Sequence, residues 1–266
     1  MRTSNQSPTL DTLPGLWTRS LIVWPDGQRD ATTNVWWLQG PGFYADLRQP
    51  MGAPDFGGVQ RLVDVTPALL VWMATQEAFA GELRFDGDAF EWERGIDLHP
   101  SGPHGDRGRL WFEAEVMIER GVHVAYIEHW HRRSAPAKRC AAARLSSDDG
   151  RRAYLVRVDD LFMYARGRES PLPPNTTLLE CVQGAHSHEA ACRLVDFEVA
   201  YGRISPDGWA IEHSSLPFRK RQRLEPEAIG THSLAVTDSD LHAGTRERSW
   251  SIEELRGSTV DLIASA

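Results

Sequence analysis

The stretch Thr33-Asn34-Val35-Trp36-Trp37-Leu38-Gln39-Gly40-Pro41-Gly42-Phe43-Tyr44-Ala45-Asp46-Leu47-Arg48 decides how the chain folds. Two runs of β-favouring residues flank a Gly-Pro-Gly turn. Proline presets one dihedral there and glycine accepts a positive one, so the segment reads as an antiparallel hairpin. Side chains alternate across each strand. Val35, Trp37 and Gln39 therefore share one face, and Asn34, Trp36 and Leu38 the other. In the second strand Tyr44, Asp46 and Arg48 oppose Phe43, Ala45 and Leu47. Both faces of the first strand are too apolar for open water, which calls for a barrel wall covered outside by a helix, a second barrel or a partner subunit.

The same pattern continues in both directions. Leu16 to Trp24 ends at Pro25-Asp26-Gly27, and short strands are expected at Phe79 to Phe85, Phe90 to Leu98, Arg109 to Glu119 and His123 to Arg132. Asp86-Gly87-Asp88 and Arg120-Gly121 read as tight turns. One helix interrupts them at Thr66 to Gln76, where Thr66 suits an N-cap, Pro67 the first helical position, and Leu69, Leu70, Met73 and Ala74 follow at helical spacing. The polar, proline-containing segment Arg132 to Lys138 is the best internal boundary. Beyond it strands are expected at Arg139 to Ser146, Ala153 to Arg166, Leu194 to Ile204, Gly208 to Leu224, Ser233 to Thr237 and Thr245 to Glu253, with a short helix near Thr177 to Gln183. The pattern predicts an all-β fold of two antiparallel barrels in tandem, residues 12 to 134 and 135 to 266, with one short helix each.

A chain of 266 residues with 41% hydrophobic side chains can bury one large core or two small ones. Its 37 acidic residues outnumber 29 basic ones, so phosphate backbones and anionic lipid are disfavoured partners. Three cysteines at no metal-ligand spacing, and no apolar export segment in Met1 to Leu16, read as a reduced, cytoplasmic protein. No phosphate loop, nucleophile elbow, dinucleotide fingerprint or HExxH motif occurs, and no cofactor is expected. Ten tryptophans are the outstanding feature.

The face carrying Tyr44, Asp46 and Arg48 is either a cavity wall, with Arg48 oriented by Asp46, or a solvated strand with an ordinary ion pair. Arg94 beside Trp92 and Ile96, and Glu128 beside Tyr126 and Trp130, carry the same two readings. If Arg94 and Glu128 face inward they should join one network with Asp46 and Arg48. His129 and His131 form a His-x-His pair on one strand face, with His123 further along it. That geometry suits a zinc or iron site, but no third ligand is evident and Glu128 points the other way, so exposed histidines are the default. His186-Ser187-His188 falls in an expected loop. The basic run Phe218 to Arg223 reads as a solvated strand end, or as a docking patch.

Gly15-Leu16-Trp17 matches the Gly-x-Trp signature that opens lipocalins. The resemblance implies a calycin-type barrel whose tryptophan closes the base and stacks beneath an arginine from a late strand. At family level, Tyr126-Ile127-Glu128-His129-Trp130 and the long strand Ala153 to Arg166 resemble the uncharacterised Hri-type proteins of fungi and their bacterial relatives, built of two lipocalin-like barrels in tandem. That resemblance implies architecture and no chemistry, and His129 and His131 depart from it.

The leading reading is a binding protein for a small, mostly apolar molecule with one polar or anionic group, held by Trp37, Gln39, Tyr44, Asp46, Arg48, Arg94, Glu128 and Trp130. Arg48 or Arg94 would pair with the ligand's anionic end, Tyr44 and Gln39 would donate hydrogen bonds, and the indoles would supply contact area. One alternative is a cofactor-free isomerase or lyase with Glu128 as general base, or a metal variant on His129 and His131. Another is an interaction scaffold with filled barrels. A homodimer through apolar strand faces is left open.

Overall fold

The computed structural model describes residues 7–100, 102–173 and 176–264. The first six residues of the Met1 to Leu16 segment and the last two of the chain lie outside the described residues. The first sheet is a meander of β1 (Gly15–Val23), the two-residue β2 (Arg29–Asp30), β3 (Asn34–Gln39), β4 (Phe43–Gln49), β5 (Glu77–Phe85), β6 (Phe90–Asp97), β7 (Asp106–Glu113), β8 (Val116–Gly121) and β9 (Ile127–Arg132). β2 pairs only with the end of β1, and β1 pairs back onto β9 in register from Trp17↔Arg132 to Val23↔Ile127. The meander therefore closes into an eight-stranded barrel. Helix α1 (Pro67–Met73) lies between β4 and β5, with Thr66 as its N-cap and Pro67 at its first position.

The second sheet comprises β10 (Cys140–Ser146), β11 (Arg152–Val158), β12 (Leu161–Arg166), β13 (Glu198–Ser205), β14 (Gly208–Ser214), β15 (Glu227–Gly230), β16 (Ser233–Asp240) and β17 (Gly244–Arg256). Its order, β14-β13-β12-β11-β10-β17-β16-β15, does not close by strand pairing. The non-strand segment Pro217 to Leu224 spans the gap, since Leu224 N–H donates to the Trp209 carbonyl and Thr237 N–H donates to that of Leu224. This half-barrel carries α2 (Leu178–Gln183), α3 (His188–Leu194) and α4 (Thr259–Ile263), not one helix. Ser187, inside the segment expected as a loop, is the N-cap of α3.

Two expected long strands are hairpins. Arg109 to Glu119 breaks at Ala114-Glu115 and Ala153 to Arg166 at Asp159-Asp160, with Ala114 and Asp159 at φ of 55° and 53°. Neither turn contains the glycine or proline that normally marks such a bend. The basic run is a short 3₁₀ turn and loop, not a strand end: Lys220, Arg221 and Arg223 are exposed, while Arg219 is fully buried and its Nε donates to Glu198 at 3.0 Å.

Three hydrophobic clusters result. The inner face of the closed barrel holds Trp17, Val35, Trp37, Tyr44, Phe79, Trp92 and Trp130. The half-barrel interior holds Leu155, Phe162, Tyr164, Trp209 and Trp250. The largest lies between them, where Leu38, Phe43, Ala45, Leu47, Ala78 and Ala80 on the outside of the first barrel meet Tyr154, Val156, Met163, Val199 and Tyr201 of the second, with α1, α2 and α3 packed alongside. The second half thus supplies the covering that the two apolar faces of β3 require. Approach is close: a Cβ at Gly40 would sit 2.8 Å from a Val156 methyl, and one at Gly95 would collide with the Tyr154 hydroxyl.

Because this core is shared, Phe43→Ala is expected to cost about 3–5 kcal/mol and to shift a single transition in urea. Loss of one half while the other stays folded contradicts it. At the edge of the same interface His213 stacks on Trp36 at 4.1 Å, and burial together with Lys220 holds its imidazole down to about 4. The unfolded chain then binds the proton first, so stability should fall as pH drops from 6.5 towards 4. His213→Phe should lose less over that interval, and an unchanged pH slope in urea titrations contradicts the assignment.

Candidate functional site

The barrel closes at one end and opens at the other. At the closed end Trp17 is fully buried and stacks on Trp37 at 6.0 Å. The Arg132 guanidinium, from the last barrel strand, lies 4.6 Å over the Trp17 ring and donates to the Pro14 carbonyl. This is the tryptophan and late-strand arginine arrangement implied by the Gly-x-Trp signature. Trp37 also meets Trp92 and Trp130 edge-on, at 5.6 and 5.4 Å. These indoles fill the lower barrel and leave a cavity of about 260 Å³ above them.

Strand parity carries the charges into that cavity. Trp37 on β3, Asp46 and Arg48 on β4, and Glu128 and Trp130 on β9 face inward and line it, as does Arg94 on β6. Two bulges reset the alternation. At Ser20 the β1–β9 register skips a residue, so Ile22 and Trp24 line the cavity together with Arg19. At Gly95 the β5–β6 register does the same, so Ile96 does not share the face of Trp92 and Arg94 but packs into the shared core. Gln39 and Tyr44 face inward but lie outside the cavity wall. Gln39 accepts from the Trp37 indole at 3.2 Å and donates to the Gly40 and Phe43 carbonyls. Tyr44 is fully buried, and its hydroxyl has no partner among the described residues.

Each guanidinium of the mouth is already held by carboxylates. Arg19 pairs with Glu128 at 2.5 Å and Asp30 at 3.5 Å. Arg48 binds both Asp46 oxygens, at 2.9 and 3.3 Å, and lies 3.9 Å from Glu128. Arg94 bridges Asp97 at 2.8 Å and Asp106 at 2.6 Å. Arg48, Asp46 and Glu128 thus form one network. Arg94 belongs to another, separated from it by the Phe79 ring, over which the Arg94 and Arg48 guanidiniums stand at 3.6 and 5.0 Å. Burial opposes the charge on Arg48, but Asp46, Glu128 and Glu77 raise its pKa well above the ordinary value. Burial raises the Asp46 acid, with Arg48 working against it. Asp30 is pulled down to about 2, against burial, by hydrogen bonds from Thr33 and Thr32.

Glu119 was not among the expected site residues. It lies on β8 directly across from Glu128, only 3% exposed. Its oxygens accept from the Tyr126 hydroxyl at 2.8 Å and the Trp130 indole at 3.0 Å. Burial, then Glu128 and Asp106, push its carboxyl well above the usual range. The two facing acids thus differ in their partners: Glu128 is tied to the Arg19 guanidinium, and Glu119 has only neutral donors. Reading Arg109 to Glu119 as one strand hid this, because the Ala114-Glu115 turn breaks the alternation.

His129 and His131 point away from the cavity. A ring nitrogen of His131 lies 2.8 Å from the Ser20 hydroxyl, and His123 stacks on His104 at 5.1 Å in the loops by the mouth. Among the described residues no group of three His, Cys, Asp or Glu side chains gathers as a metal site. No described helix is long and apolar enough to cross a membrane.

No protein-family model matches the chain, and no curated protein matches it in sequence. A crystal structure of an uncharacterised protein from Saccharomyces cerevisiae is similar in fold. The TM-score is 0.54 at 12% identity, covering 92% of this chain and all of that one. The likeness is one of fold, and the barrel topology fits a calycin-like fold.

Since Arg19 is the nearest cation to buried Glu128, and Arg48 at 3.9 Å still faces that carboxylate, Arg19→Met should destabilise the protein by about 1.5–3 kcal/mol, the worth of a hydrogen bond to a charged group. A loss below about 1 kcal/mol in urea denaturation, as for an exposed pair, contradicts this reading.

Proposed function

We propose that this protein binds a small, mostly apolar molecule with a polar group in the mouth of its closed barrel. The supporting observation is the cavity of about 260 Å³, floored by Trp37, Trp92 and Trp130 and ringed by buried, mutually oriented charges. Ligand sites usually combine apolar contact area with convergent polar groups; here the indoles supply the apolar contact and charged side chains form most of the wall. Slightly below the usual range for such sites, about 300–1,000 Å³, the volume suits a molecule with one ring or a short chain and rejects a porphyrin. Because Arg48 and Arg94 are each engaged by carboxylates, an anionic end would have to displace them. The fold likeness to a fungal barrel protein over nearly the whole chain supports kinship with two-barrel proteins of the Hri type.

A second reading, a cofactor-free isomerase or lyase, has its own support in the facing acids Glu119 and Glu128, the first with its carboxyl pushed up by burial and neighbouring acids and the second paired with Arg19. Such a pair can take a proton from carbon and return it elsewhere. Incubating a bound ligand in D₂O distinguishes the two readings: deuterium at carbon supports catalysis, and a ligand recovered without it opposes catalysis.

For binding, tryptophan fluorescence titrated with small one-ring and short-chain compounds should show saturable quenching by at least one. Thr33→Phe, which narrows the mouth, should weaken that compound at least about tenfold. Flat titrations throughout contradict the proposal.

A further inference from the structure

Six carboxyl side chains line the cavity, those of Asp30, Asp46, Glu77, Asp106, Glu119 and Glu128, against only three guanidiniums. Each guanidinium is paired with carboxylates, although Arg94 Nε itself has no partner, whereas among the described residues Glu119 is buried with no cation within salt-bridge distance, only neutral donors from Tyr126 and Trp130. A further observation points to the kind of guest. Trp24, Trp37, Trp92 and Trp130 line the same cavity, and indole rings attract cations through their π-electrons.

We infer that the ligand of this cavity is a small organic cation, an amine on an apolar skeleton, whose ammonium group takes Glu119 as its counter-ion above the tryptophan floor. The inference rests on the small-molecule reading given above and specifies its chemical class. In the free protein Glu119 is faced by Glu128 and Trp130 of β9, Asp106 of β7, Tyr126 and, from β4, Arg48. Burial, and then the two neighbouring acids, favour its protonated form. An arriving ammonium ion reverses that balance. The O–H bond of Glu119 breaks, its proton leaves to the buffer, and the carboxylate pairs with the cation, so the charge of the site is conserved.

Isothermal titration with three skeleton-matched probes, phenethylamine, phenethyl alcohol and 3-phenylpropionate, in two buffers of different ionisation heat tests this. The amine should bind at least about tenfold more tightly than the alcohol, as expected of a charge-assisted hydrogen bond, with the carboxylate weakest. Proton release should accompany amine binding and disappear in Glu119→Gln, along with most of the amine's advantage. Binding of the alcohol or the carboxylate as tightly as the amine overturns the cation assignment and leaves small-molecule binding standing. Amine preference without proton release overturns the role of Glu119. Saturation by none of the three overturns the cation assignment and counts against the binding reading itself.

Discussion

Both faces of one hairpin must be buried at once, and the rest of the structure follows from that. On β3 and β4, Leu38, Phe43, Ala45 and Leu47 enter the core shared with the second half, while Trp37, Gln39, Tyr44 and Asp46 enter the barrel. A slip of one residue in register would exchange these sets and put a carboxylate into an apolar sheet interface. Register is therefore strongly determined, and with it the inward aim of Asp46 and Arg48. The half-barrel acts first as an outer wall that makes this alternation obligatory.

Burial of the inner face in turn governs its electrostatics. A charge this deep persists only when paired, and Arg19, Arg48 and Arg94 each meet carboxylates from a different strand or loop. These pairs lock the mouth of the barrel in one geometry, which favours a preformed site over one assembled around its guest. Glu119 is the exception to the pairing. It is held by neutral donors, and its proton is the least costly way to bury a carboxyl between two other acids.

Much of this was legible in the sequence where local chemistry announces itself. The Gly-Pro-Gly turn, the alternation of the hairpin, the Thr66-Pro67 helix start and the Gly-x-Trp opening each rest on residues with one strong preference. They were enough for the fold class and for the cavity positions of Trp37, Asp46, Arg48, Arg94, Glu128 and Trp130. The remainder was hidden by features without a residue signature. Turns at Ala114-Glu115 and Asp159-Asp160 carry neither glycine nor proline, and the bulges at Ser20 and Gly95 shift parity without altering the hydrophobic pattern. Glu119, Ile22 and Trp24 lie beyond such breaks, so their facing was not readable, whereas Arg19 precedes the bulge and shares the parity of Trp17. Gln39 and Tyr44 were correctly given an inward face, but how far the indoles fill the barrel depends on packing in three dimensions.

The central claim is an occupiable compartment above the tryptophan floor. Native mass spectrometry of the protein after incubation with the small-molecule extract of its host cells addresses it most directly. The account predicts a one-to-one adduct with the mass of a small organic molecule. A spectrum showing only the bare chain at every extract concentration would contradict it.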